Sequence, residues 1–264
     1  MSRRSRTVLC CVALLGFAAA TSAFLITRAS PERAPVIQST VQTRTTKRSP
    51  RNLALQADAI AMAHKLGKRF NALQRSSSVT SGSLTIAGID QPLTITRQQN
   101  DTGEQVSLSV GGRNLTWDDQ EGVKAVAGLL SNQERVLMER LTLDSPDQFV
   151  LAQLRGASYF TIAQNVRPAD ANDGYTGPLW DLIRVDEPQT AKAHPLSSGR
   201  IYYVNGQTGL PDRVEYQLND LPIAVEFLEW TKQGEEITPS RVRWSSNGQS
   251  LMELHITSVS LNQQ

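Results

Sequence analysis

Through two long stretches of this chain, apolar residues recur at every second position, and no other feature constrains its fold as much. Leu93 and Ile95, then Val106, Leu108 and Val110, then Leu115 and Trp117 are each separated by polar or small residues. Side chains along an extended strand point alternately to opposite faces, so these runs make strands with one buried and one wet face. Gln99-Asn100-Asp101-Thr102-Gly103 and Gly111-Gly112 punctuate the runs with turn residues, which predicts an antiparallel meander. Residues 78–87 add a strand before it.

The same period returns later. Residues 159–166, 179–185, 200–204, 213–218, 223–231, 237–245 and 250–261 read as extended, and Asn247-Gly248 is a tight hairpin signal. In the last of these strands the apolar phase runs Leu254, Ile256 and then Val259, Leu261. That slip of one predicts a bulge near Thr257-Ser258. Residues 167–176 and 186–198 read as irregular loops.

Helical spacing occurs in two places. Leu55, Ala59, Met62, Leu66, Phe70 and Leu73 repeat every three or four residues and form one buried stripe, with His64, Lys65, Lys68 and Arg69 mostly off it. In the middle of the chain Ser131-Asn132-Gln133-Glu134 matches a capping box, in which serine and glutamate satisfy free N–H groups at a helix start. Ser145-Pro146-Asp147-Gln148 reads as a second box with proline at the first helical position. Gly156 stands where a helix end favours positive φ. Helices are expected near 122–142 and 146–155. The sum is an α+β fold: about eleven antiparallel strands in one large curved sheet, a half-barrel, with helices covering its concave face.

The N-terminus has a different character. Arg3, Arg4 and Arg6 precede an uncharged, largely apolar run over residues 7–27, the pattern of an export signal or of a single N-terminal anchor. Thr21-Ser22-Ala23 is a passable cleavage site, yet the run reaches the ~20 residues a spanning helix needs. Both readings put the rest of the chain outside the cytoplasm: periplasmic, and held at the inner membrane where residues 7–27 stay uncut. Residues 28–51 are rich in Pro, Ser, Thr and Arg without apolar periodicity, a flexible tether. Residues 52–264 are expected to form one domain, large enough to bury a sizeable core.

Charge and cysteine content narrow the function. Both cysteines, Cys10 and Cys11, lie in the apolar run, so the exported part has neither a disulfide nor a thiolate ligand set. From residue 52 onward there are 18 Lys and Arg against 24 Asp and Glu. A nucleic-acid partner would need a basic face on the domain, and this domain is acidic. His64, His194 and His255 have no ligand-spaced partner, and Asp170-Ala171-Asn172-Asp173-Gly174 lacks the alternation and terminal glutamate of a calcium loop. No metal or cofactor is expected. No nucleophile elbow or phosphate-binding loop occurs, and Asp118-Asp119 read as helix-start caps, so no catalytic residue is assigned.

One stretch resembles a known family. Gly199-Arg200-Ile201-Tyr202-Tyr203-Val204-Asn205-Gly206-Gln207-Thr208-Gly209-Leu210-Pro211-Asp212-Arg213-Val214-Glu215-Tyr216 is a strand, a Thr-Gly-Leu-Pro turn and a second strand. Thr238-Pro239-Ser240-Arg241-Val242 and a closing Leu254-His255-Ile256-Thr257-Ser258-Val259-Ser260-Leu261-Asn262 come after it. Over residues 199–262 this resembles the LolA-like periplasmic lipoprotein-carrier superfamily. The resemblance implies an eleven-stranded half-barrel, a helical lid and an apolar cavity that takes acyl chains. The extra N-terminal helix and tether depart from the carriers and bear more on shuttling than on lipid binding.

Leu93, Ile95, Val106, Leu108, Trp117, Tyr216, Val225, Phe227 and Trp244 are the candidate lining of such a cavity. The alternative is that they simply pack beneath the helices, as most apolar strand residues do. Two functions are consistent with this. One is a non-catalytic envelope protein binding a lipid or a lipoprotein acyl chain. The other is a membrane-tethered scaffold that docks an envelope protein and holds no ligand.

Overall fold

The computed structural model describes residues 50–100, 103–118, 121–168, 171, 172, 174–188, 199–218 and 220–263. The leader, nearly all of the tether and His194 lie outside them. Among the described residues no helix is long and apolar enough to cross a membrane.

Helix α1 (Pro50–Phe70) opens the described chain. Ala59, Ala63, Leu66 and Phe70 are buried along one stripe, while His64, Lys65 and Lys68 are off it, His64 and Lys65 exposed, as the spacing requires. Asn71, at φ 50°, ends the helix by taking the left-handed conformation. The Phe70 ring stacks on Trp230 with centroids 5.6 Å apart, which fixes the end of α1 on the sheet.

Among the described residues twelve strands form one antiparallel sheet: β1 (Arg75–Ile86), β2 (Ile89–Asn100), β3 (Gly103–Val110), β4 (Arg113–Asp118), β5 (Gly122–Ala125), β6 (Ser158–Val166), β7 (Trp180–Asp186), β8 (Arg200–Asn205), β9 (Pro211–Leu218), β10 (Leu221–Gln233), β11 (Glu236–Ser246) and β12 (Gln249–Gln263). Their spatial order is β5-β4-β3-β2-β1-β12-β11-β10-β9-β8-β7-β6. Two meanders therefore meet where β1 pairs with β12, and β5 and β6 are the open edges. A sheet this wide coils, because each strand is twisted relative to its neighbour. Helices α2 (Asn132–Leu143) and α3 (Gln148–Leu154) carry the chain from one edge to the other across the concave face.

The expected α+β plan is the one observed, with one strand more. Residues 122–125 pair with β4 and do not begin a helix: Leu115 faces Ala125 and Trp117 faces Val123. Four residues are too few to display period two. Helix α2 begins instead at its capping box, where Ser131 Oγ accepts from the Glu134 N–H at 3.2 Å and the Ser131 N–H donates to Glu134 at 2.9 Å. The second box does not form. Asp147 is the N-cap of α3 without a side-chain cap bond, because its carboxylate goes to Arg75 and Gln148 is drawn to Glu104. Asp118 caps no helix; it lies in β4 and accepts from the Glu121 N–H at 2.6 Å in the following turn. Asp119 lies outside the described residues.

Two local signals hold in detail. Asn247 and Gly248, at φ 50° and 78°, make the β11–β12 hairpin. The register of β12 against β1 steps from Ser258–Ser81 to Ile256–Gly82, which leaves Thr257 as the bulge. A Cβ on Gly82 would lie 1.9 Å from the His255 carbonyl oxygen, so the bulged backbone passes where any other side chain would stand.

Candidate functional site

The hollow between the sheet and α2–α3 is where the fold could hold something. Its floor is the inward face of the strands, and all nine candidate lining residues belong to the buried core there. Trp117 and Val225 are fully buried, and Tyr216, the most accessible of the nine, is 5% exposed. Tyr202, Val204 and Val214 continue the same face on β8 and β9. The helices fill the space above. Met138 and Leu141 of α2 and Phe149, Val150 and Leu151 of α3 are buried, and the Phe149 ring meets Tyr202 and Tyr159 edge-on at 4.8 and 5.5 Å. The hollow is therefore closed.

Ion pairs and hydrogen bonds fasten it as well. The link between α2 and α3 carries Asp144, which is fully buried. Arg200 of β8 donates to its Oδ1 at 2.6 Å, and Arg140 of α2 lies 3.7 Å from the same oxygen. The Tyr216 hydroxyl and the Trp244 indole N–H donate to Oδ2 at 2.7 and 2.9 Å. Arg140 also donates to the Tyr216 hydroxyl at 2.6 Å, and both guanidinium groups lie over the Tyr216 ring. Arg200 makes a further bond to the Leu143 carbonyl. One carboxylate thus ties the helical link to β8, β9 and β11.

Arg97 of β2 makes a second tie. It donates to Glu104 at 2.9 Å and to the carbonyls of Leu141 and Thr142 at 2.8 and 3.2 Å. Gln148 donates to the other Glu104 oxygen at 2.9 Å. Arg75 of β1 is the third, bonded to Asp147 and 3.4 Å from Glu236 of β11. Among the described residues four buried arginines, Arg75, Arg97, Arg140 and Arg200, are met by Asp147, Glu104 and Asp144, the last shared by Arg140 and Arg200. Ions removed from water cost several kcal/mol each unless paired in good geometry, which explains the match.

The electrostatics reflect burial. Burial opposes the Arg200 charge and Asp144 overrides it, so the group titrates above the ordinary arginine value. Burial, and then the Asp144 charge, raise the Tyr216 phenol. Glu236 is pushed up to about 8, first by burial and then by Asp147, with Arg75 working against both. Its Oε1 has no hydrogen-bond partner, nor does the hydroxyl of Ser145. Both residues line a cavity of about 70 Å³ with Arg75, Asp147, Thr238 and Ile95. That volume is the share of about two waters and falls far below the roughly 300 Å³ at which ligand pockets begin.

Sequence reasoning placed the apolar floor and missed this ionic layer. The signal was present. Arg97 falls on the phase of Leu93 and Ile95, Glu104 on that of Val106 and Leu108, and Arg200 on that of Tyr202 and Val204. A charge at an inward position needs a buried partner. Of the histidines, His64 faces Gln153 at 3.0 Å, and His255 lies on the outer face 3.0 Å from Glu253. Among the described residues no group of three or more His, Cys, Asp or Glu side chains could hold a metal ion.

The outer face is wetter and charge-alternating. Tyr203, Arg213, Glu226, Arg243 and Glu253 stand opposite one another across β8–β12. Arg213 and Arg243 lie 3.9 and 3.6 Å from Glu226, and Arg243 lies 3.6 Å from Glu253. Two open depressions of about 580 and 780 Å³ flank this row, the larger lined by Trp180, Leu182, Tyr203 and Leu228.

No family model and no curated protein matches the chain. Solved structures do. A DUF1329 family protein from Desulfovibrio piger aligns over 79% of this chain and 93% of its own, at 13% identity and a TM-score of 0.53. A LolA superfamily protein from Nitrosomonas europaea aligns over 80% and 94%, at 9% identity and a TM-score of 0.42. The MucA/MucB complex of Pseudomonas aeruginosa gives 78% and 57%, at 13% identity and a TM-score of 0.27. At such identities the likeness concerns the fold alone. The curved antiparallel sheet with helices laid across it is the fold that the chain shares with the DUF1329 protein.

Proposed function

We propose that the chain is an exported, periplasmic envelope protein that takes a hydrophobic ligand, a lipid or a lipoprotein acyl chain, between its sheet and helices α2 and α3, without catalysis. In this reading residues 1–27 are a signal or anchor, 28–51 a tether and 52–264 the binding domain. The observation that carries it is the continuous apolar floor of Leu93, Ile95, Val106, Leu108, Trp117, Tyr216, Val225, Phe227 and Trp244, roofed by two short helices. Burying apolar surface yields roughly 25 cal/mol per Å², enough for one long chain to gain several kcal/mol against that floor.

The closed hollow sets a condition on this function. With only about 70 Å³ free, a ligand enters only when the α2–α3 link swings off the sheet. The ties at Asp144, Glu104 and Asp147 are then what the ligand must displace. Every one of these carboxylates is held by arginine, glutamine, tyrosine or tryptophan, which supports a fastening role for them.

The same small volume favours a second reading, a tethered scaffold that holds no ligand and docks an envelope protein. The discriminating experiment is mass spectrometry of lipid extracted from the purified protein, with titration of a hydrophobic fluorophore. Bound lipid and saturable one-to-one fluorophore binding support the first reading. No lipid, no saturable binding and one stoichiometric co-purifying protein would replace it with the second.

A further inference from the structure

From β5 the chain runs over residues 126–130 to the cap of α2, and this strap presents Val126 and Leu129 outward while Leu130 packs against the core. Leu129 is 95% exposed and Val126 64%, and Val136 in the first turns of α2 is 45% exposed. Ala125-Val126-Ala127-Gly128-Leu129-Leu130 contains no charged or polar side chain. Isolated exposed apolar residues are ordinary; a run of them on a held backbone is not.

The backbone is held from beneath. The Val126 N–H donates to the Asn114 carbonyl at 3.0 Å, continuing the β4–β5 pairing. Arg113 donates to the carbonyls of Ala127 and Leu129 at 2.9 and 3.2 Å and to Glu134 at 2.6 Å. Gly128 turns the strap at φ 78°, and a Cβ there would meet the Arg113 guanidinium at 3.4 Å. One arginine therefore fixes the strap in a shape that keeps Leu129 in solvent.

We propose that this strap is a membrane-docking element whose Val126 and Leu129 side chains enter the interfacial region of a lipid bilayer. Three observations select a lipid surface. The strap is uncharged, and beside it Arg135 is basic and reaches solvent while Lys124 is paired with Glu121, so no net negative charge keeps the strap from the headgroup boundary. The apolar run at residues 7–27 is long enough to span a bilayer. Only residues 28–49 separate that run from α1, a reach of at most about 75 Å at ~3.4 Å per residue. Docking in this form requires residues 7–27 to stay uncut as an anchor: a domain on such a tether meets the bilayer at high effective concentration, so two side chains suffice to set its orientation. The strap leads from the sheet edge onto the face covered by α2, so docking would present the rim of the hollow to the bilayer. The docking itself does not depend on the hollow holding a ligand.

The test uses the full chain in vesicles of phosphatidylethanolamine and phosphatidylglycerol, with Cys10→Ser and Cys11→Ser so that a single introduced cysteine carries an environment-sensitive fluorophore. The label at Leu129→Cys is expected to shift to the blue and to be quenched by spin-labelled lipid. The label at Leu154→Cys, also exposed but on α3, is expected to do neither. Val126→Asp with Leu129→Asp is expected to reduce quenching of a label at Val136→Cys to the Leu154 level, with an unchanged circular dichroism spectrum. A Leu129 label as solvent-exposed as the Leu154 one overturns the proposal. So does a blue shift without lipid quenching, because that label is covered by protein.

Discussion

Replacing Asp144 by alanine is the sharpest test of how the helical link is held. The carboxylate is fully buried and has four cationic or hydrogen-bonding neighbours: Arg200 at 2.6 Å, Arg140 at 3.7 Å, Tyr216 at 2.7 Å and Trp244 at 2.9 Å. Its removal leaves Arg140 and Arg200, 5% and 3% exposed, without their counter-charge, and two donors without an acceptor. Removing one partner of a buried ion pair costs about 3–5 kcal/mol. For a domain of this size each kcal/mol lowers Tm by about 2–4 °C, so a fall of roughly 6–20 °C is expected. Urea denaturation monitored by tryptophan fluorescence gives the free energy, with an unchanged slope confirming that only stability has moved. A double-mutant cycle with Arg200→Met isolates the pair. The double variant is expected to be more stable than Asp144→Ala alone plus the Arg200→Met penalty, by about 1–3 kcal/mol. A single variant within about 1 kcal/mol of the parent, or strict additivity in the cycle, would refute the view that this carboxylate fastens the link.

Four further outcomes are expected. Glu236 titrates at about 8 when folded and near 4.5 when unfolded, so the folded state keeps a proton that the unfolded state has lost between those values. Its contribution is therefore greatest at acid pH and declines as pH rises toward 8, by at most about 5 kcal/mol at ~1.36 kcal/mol per pH unit separating the two titrations. Thermal melts from acid pH to above 8 should show this decline in the parent and not in Glu236→Gln, and parallel curves would contradict it. Gly82→Ala should cost at least about 2 kcal/mol, because its Cβ meets the His255 carbonyl oxygen rather than a yielding side chain; wild-type stability in denaturant would disprove the close approach. Arg243→Ala, on the wet outer face, should cost no more than about 1 kcal/mol and less at high salt, checked by melts at two ionic strengths. Asp144→Asn, which loosens the link while keeping its shape, should bind a hydrophobic fluorophore more tightly than the parent below its melting transition, because a larger open fraction raises apparent affinity; equal or weaker binding would count against entry through the helical roof.

The strands were legible because period two is a local property and one buried face per strand imposes it. The bulge at Thr257 could be read for the same reason: an extra residue shifts the phase of everything after it. The failures came where tertiary partners outbid local signals. Residues 122–125 became an edge strand because β4 offered a free hydrogen-bonding edge. Gln148 left the expected box with Ser145 for Glu104, and Asp147, which became the N-cap in place of Ser145, turned its carboxylate to Arg75; a charged hydrogen bond is stronger than a neutral cap. The apolar floor of the candidate site was visible as a set of inward positions. Its ionic fastening was hidden, because Asp144 and Arg200 are 56 positions apart and only the folded sheet brings them together.

The β1–β12 seam carries a consequence for biogenesis. Arg75 pairs with Gln263 and Ile86 with Met252, so the middle of the sheet joins its first strand to its last. Contacts of such long range are slow to form, because the intervening chain must first be gathered in. A chain folding in order of synthesis would hold its first meander with β1 paired to β2 on one side and open on the other until β12, the last strand, arrives. During that interval β1 is a bare template for any extended segment nearby.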